Sequence, residues 1–150
     1  MGDELAGSNV NRSYSLAATS IAIFTFSLFF MYPRFLGGEA NALLFQATLV
    51  VMGLATFAFV FASFYYYCAS LGGRMDDADR VLHARRGDRS WLLGYTLLLL
   101  APTLILFSIG LRVVGAAWLA LWLVYLGFVL RHFPQAQAAW AGSTPGGARA

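Results

Sequence analysis

Three apolar stretches dominate the pattern of this chain. Between Glu39 and Arg74 lie 34 consecutive residues without formal charge, and between Arg89 and Arg131 lie 41 interrupted only by Arg112. An earlier run, residues 14–31, closes at Tyr32, Pro33 and Arg34. A helix advances ~1.5 Å per residue and a bilayer core is ~30 Å thick, so about 20 apolar residues suffice to cross it. The first run fits one crossing. The second, beginning at Asn41, is longer than a crossing requires, and Tyr65, Tyr66 and Tyr67 fall where a helix from Asn41 should leave the hydrocarbon. Aromatic rings with polar handles favour that interface, so the last turns are expected to project beyond it.

The third block, residues 91–130, would make a helix of ~60 Å if continuous, about twice the core thickness. It must therefore turn. Ser108, Gly110, Arg112 and Gly115 cluster at its middle and predict a tight turn near residues 109–114. Pro102 is expected to sit within the third helix, because a stop there would leave too short a span. The pattern thus predicts an all-α integral membrane protein with four transmembrane helices in two hairpins, at about 14–33, 41–70, 90–109 and 114–131. Residues 1–133 would form one transmembrane domain, followed by a flexible tail, 134–150, rich in small residues, Gly and Pro.

Composition agrees with this pattern: 59% of the 150 residues are hydrophobic, 11% are charged and mean hydropathy is +0.67. A soluble domain this small has too much surface per volume to hide that proportion, and a disordered chain would lack it. Charge fixes an expected orientation. Arg12, Arg74, Arg80, Arg85, Arg86, Arg89, Arg131 and Arg149 fall on one side and only Arg34 and Arg112 on the other, so both termini are expected to be cytoplasmic in a bacterial-type inner or plasma membrane. The mixed charge before the first run and the length of that run predict a retained anchor rather than a cleaved signal.

Between the second and third spans lies a charged segment with five arginines and four aspartates. Asp76, Asp77 and Asp79 at its start and Arg85 and Arg86 near its end suit a helix dipole, and Asp76 with Arg80 forms an i,i+4 pair. A short separate helix ending before Gly87 is therefore expected, with Ser90 capping the third span. Arg80, Arg85, Arg86 and Arg89 are candidates for contact with anionic lipid or a membrane partner. The nearly balanced charge makes a poor track for nucleic acid.

Candidate chemistry is sparse. Gln46 is the most polar side chain within the second span, and with Asn41, Arg34, Glu39 and Arg112 it could contribute to a hydrated pathway or an outer vestibule. The plainer alternatives are a buried amide bonded to a neighbouring helix and interfacial charges that snorkel to head groups. Ala55, Ala58 and Ala62 on the second helix, and Ala116 and Ala120 on the fourth, are small residues that permit close helix packing. Trp118, Trp122 and Tyr125 recur along one face of the fourth helix and predict a lipid-facing or intersubunit surface. The lone Cys68, with His83 and His132 near the cytoplasmic side, matches no disulfide, haem or zinc pattern, so no cofactor and no catalytic residue is assigned.

Three functional classes fit this inventory. The first expectation is a homo-oligomeric channel or small transporter subunit. The second is a non-catalytic accessory or structural subunit that binds another membrane protein or anionic lipid, and the third a lipid- or quinone-linked membrane enzyme. Membrane lipids and either further copies or another membrane protein are the expected partners.

Overall fold

The computed structural model of the chain describes the backbone of residues 2–71 and 76–142, and the side chains of residues 7–71, 76 and 78–132. Arg74, Arg149 and the end of the tail, 143–150, lie outside the described residues. The architecture is all-helical: α1 (Gly2–Leu36), α2 (Ala42–Ser70), α3 (Asp77–Ser108) and α4 (Arg112–Gly142). Each contains a stretch long and apolar enough to cross a membrane. At ~1.5 Å per residue the helices are about 43 to 52 Å long, so all four outrun a ~30 Å core.

That excess length accounts for the differences from the sequence-based boundaries. Helix α1 starts at Gly2 instead of near residue 14, because Ser13 and Ala17 are buried against neighbours and tertiary contact sustains the helix beyond the apolar run. The charged segment after α2 is helical, but from Asp77 it is continuous with the third span. Ser90 therefore lies inside α3 and caps nothing, while Gly87, expected to mark a helix end, serves as a packing position. Pro102 is retained within α3, and α4 continues to Gly142, through part of the segment expected to be a flexible tail.

Glycine closes α1 and α3 in the same way. Gly38 takes φ +75° and Gly110 φ +82°, a left-handed conformation that costs glycine little. At the first, Glu39 N–H donates to the Arg34 carbonyl at 2.9 Å and Gly38 N–H to the Phe35 carbonyl at 3.1 Å. At the second, Leu111 N–H donates to Leu106 at 2.9 Å and Gly110 N–H to Phe107 at 3.1 Å. Asn41 then starts α2: its side-chain oxygen accepts from Leu44 N–H at 3.1 Å, and its own N–H donates to the Ser108 carbonyl at 2.9 Å. Asn41→Ala should lower stability by about 1 kcal/mol, measured by unfolding in detergent and lipid, by removing this N-cap.

Helix α2 lies between α1 and α3. Its buried residues Phe45, Thr48, Met52, Ala55, Phe59, Ala62, Tyr66 and Ala69 follow alternating steps of three and four, the spacing of an interdigitated helix seam. Facing it, α3 places small residues seven apart at Gly87, Gly94, Ala101 and Ser108. A Cβ on Gly87 would meet the Tyr66 ring at 2.9 Å, and one on Gly94 would meet the Phe59 ring at 3.0 Å and the Ala55 carbonyl at 3.2 Å. Continued along two antiparallel helices, this register sets Met52 opposite Ala101 and Phe45 opposite Ser108. Large side chains of α2 thus enter gaps left by small residues of α3, which lets the backbones approach closely.

On the other side of α2, α1 buries Ser13, Ala17, Ser20, Ser27 and Met31. Hydroxyls join the two helices, with Thr56 Oγ1 2.9 Å from Ser20 Oγ and Ser27 Oγ 3.9 Å from the Met52 sulfur. Met31, Ala40 and Phe45, flanked by Leu28, Phe35, Leu49, Ile105 and Ile109, close the end of this packing where α2 begins. Among the described residues α4 packs chiefly on α3, and only 6% of its most apolar stretch is buried, against 33% for α2.

Candidate functional site

The described residues converge on one polar constellation, at the end of the molecule where α1 and α3 begin and α2 ends. It is built by the α2–α3 register. Because Gly87 has no side chain, the Tyr66 ring can lie against α3, and its hydroxyl donates to Asp88 Oδ1 at 2.7 Å. One turn along α3, Trp91 offers a ring over which the Arg12 guanidinium of α1 sits, 5.0 Å from the centroid. Asn9, Arg12, Tyr66, Asp88 and Trp91 border an open cavity of about 240 Å³.

The electrostatics are those of two opposite charges, each partly engaged. Asp88 spends one carboxylate oxygen on Tyr66, and Arg12 spends its face on Trp91, leaving its edge donors for a further group. A hydrogen bond to a charged group contributes about 1.5–3 kcal/mol. Tyr66→Phe should accordingly destabilise the fold by about 1.5 kcal/mol, while Asp88→Asn, which keeps an oxygen acceptor for Tyr66, should cost less; unfolding of both variants in the same lipid mixture checks the order.

Around this cluster, Arg80 ties α3 to the end of α2, its Nε donating to the Ala69 carbonyl at 3.2 Å, and His83 lies with its ring centroid 6.2 Å from that of Tyr65. Arg80 therefore has a structural contact as well as a charge. Arg85 is half-buried, and Arg86 and Arg89 are exposed.

The expected pathway residues do not converge inside the chain. Gln46 is exposed on the outer surface of α2, so it is not the buried amide the sequence suggested. Arg34, Glu39 and Arg112 are exposed near the turns, and Asn41 acts as the α2 cap. Among the described residues, no side-chain hydrogen bond or ion pair joins Arg34, Glu39 and Arg112; Arg34 and Glu39 meet only through the backbone bond that closes α1.

The packing candidates divide. Ala55, Ala58 and Ala62 are buried in the central helix, whereas Ala116 and Ala120 are exposed on α4. The close approach of α4 to α3 is made by Gly115, where a Cβ would stand 3.3 Å from the Phe107 ring. The aromatic face also departs from a lipid-facing surface: Trp122 Nε1 donates to the Thr96 carbonyl at 2.9 Å, and the Tyr125 and Tyr95 rings lie 6.1 Å apart. Trp118 remains 41% exposed. An indole N–H in an apolar setting needs an acceptor, and α3 supplies one.

Sequence reasoning missed Asn9, Tyr66 and Trp91 as members of one site, and used Arg12 and Asp88 only as charges. The available signal was the seven-residue step shared by Phe59–Tyr66 and Gly87–Gly94, which sets the register that brings Tyr66 to Asp88. Among the described residues, no three His, Cys, Asp or Glu side chains form a group able to hold a metal ion. No family model, curated protein or solved structure matches this chain.

Proposed function

We propose that the protein is a non-catalytic accessory subunit of a membrane assembly, docked through α4 onto a helix of another membrane protein. One observation carries this reading: Ala116, Ala120 and Gly127 form an exposed stripe of small residues on α4, away from the side that touches α3. A helix facing only lipid has no need of such a stripe, whereas a partner helix can approach its backbone closely there. Between α1 and α2, Ser20 and Thr56 bond to each other and to the Met52 carbonyl and Ser27 meets the Met52 sulfur, while Ser13 Oγ is buried without a partner; the described residues enclose no polar passage through the chain.

On the same reading the chain crosses a bacterial-type inner or plasma membrane four times, in two successive hairpins with both termini cytoplasmic. The arginine distribution supports that orientation. Exposed Arg86 and Arg89 then stand beside anionic head groups at the cytoplasmic face.

A second reading, a homo-oligomeric channel or small transporter, is favoured by the outward placement of Gln46, Arg34, Glu39 and Arg112, since a path lined by them would run between copies. Reconstitution of the purified chain alone into nanodiscs and liposomes separates the two. The accessory role predicts a single copy per disc and no ion flux. A symmetric oligomer with flux altered by Gln46→Leu or Arg112→Gln would establish the channel instead.

A further inference from the structure

We propose that the cavity bordered by Asn9, Arg12, Tyr66, Asp88 and Trp91 binds the head group of a zwitterionic phospholipid whose cation is a primary ammonium. The cavity offers a guanidinium and a carboxylate with complementary unused capacity: the edge donors of Arg12 and the second oxygen of Asp88. A phosphodiester accepts from guanidinium N–H groups, and an ammonium donates to a carboxylate. A ligand carrying both on a short linker meets both groups at once.

Three features narrow the class. The open cavity of about 240 Å³ admits a group the size of phosphoethanolamine. Its depth matches a head group, because Tyr65, Tyr66, Tyr67 and Trp91 form the aromatic level at this end of the helices. The aromatic face is already taken: Arg12 sits 5.0 Å over Trp91, so the indole that would receive a trimethylammonium is occupied. A choline group also has no N–H to give Asp88. A purely anionic head group satisfies Arg12 but brings negative charge beside the Asp88 carboxylate.

Native mass spectrometry of the full-length protein with matched-chain phosphatidylethanolamine, phosphatidylcholine and phosphatidylglycerol tests the assignment. Phosphatidylethanolamine should be retained at least tenfold better than either of the others, and Asp88→Asn and Arg12→Gln should each abolish that preference. A parallel arm adds soluble phosphoethanolamine: no displacement of the lipid at millimolar concentration assigns the site to a membrane lipid, whereas full displacement with equal affinity assigns it to a soluble amino phosphate and overturns the lipid. Equal retention of the three lipids, or a preference unchanged in both variants, also overturns the proposal. Arg12 is exposed, so its variant reports on binding even if the Asp88 variant unfolds.

Discussion

Gly94→Leu is expected to cost about 3 kcal/mol or more of stability, the largest loss of any single substitution at the α2–α3 seam. Even a lone Cβ at Gly94 would sit 3.0 Å from the Phe59 ring and 3.2 Å from the Ala55 carbonyl, and the second of these is backbone that cannot rotate away. Overpacking of a tight core typically costs 1–3 kcal/mol, and both Phe59 and Ala55 are fully buried, with no free volume to receive the added atoms. The helices must therefore separate or slide, which also moves Tyr66 relative to Asp88. Gly94→Ala should fall lower in the same range. Reversible unfolding in lipid and detergent measures both, and the double variant Gly94→Leu, Phe59→Ala tests the register. Direct opposition predicts that the double variant is more stable than the sum of the single losses implies, by about 0.5–3 kcal/mol. Simple additivity would show that the two positions do not face each other.

Ala120→Leu is expected to do the reverse, leaving the fold intact while removing the proposed association with a partner helix. Ala120 is exposed in the chain, and an exposed substitution away from special features changes stability by about 0.5 kcal/mol or less. Leucine is at least as compatible with lipid as alanine, but it holds a second helix backbone away from α4. Losing ~1.4 kcal/mol of helix association corresponds to tenfold weaker binding, so co-purification of the native partner should fall about tenfold or more while the unfolding midpoint stays unchanged. Val114→Leu, on the separate exposed face that it shares with Leu121 and Phe128, should leave both unchanged.

Four helices long and apolar enough to cross a membrane were legible from the lengths of the apolar runs, the spacing of charge and the residues that punctuate them. So was the turn at Gly110, where positive φ calls for glycine, and the retention of Pro102 within α3. What the apolar runs could not reveal is how far a helix continues beyond the hydrocarbon. Ser13 and Ala17 extend α1 by packing, and α3 passes without a break from charged to apolar sequence. That continuity concealed the main packing device. Gly87 lies in the charged segment and Gly94 in the span, so a helix boundary drawn at residue 90 separates two members of one seven-residue series.

The candidate site was hidden for the same reason. Tyr66 reads as one of three interfacial tyrosines, and Asp88 as one of four aspartates in a charged segment. Only the antiparallel register makes them partners. Gln46 is conspicuous in sequence because it interrupts an apolar run, and it lies on an exposed face of α2. Ala116 and Ala120 were recognised as small residues four apart, but α3 is met by Gly115 and Trp122 instead, which leaves the alanines available to something outside the chain.

The proposed docking of α4 onto another membrane protein is tested most directly by photo-crosslinking in native membranes. A photoreactive side chain is placed in turn at positions 116, 120 and 127, and at 114, 121 and 128 on another exposed face of the same helix. The account predicts one discrete adduct with a different membrane protein from the first three positions and none from the second three. Adducts of equal strength from both sets, adducts only between copies of this chain, or lipid adducts alone at all six positions would contradict it.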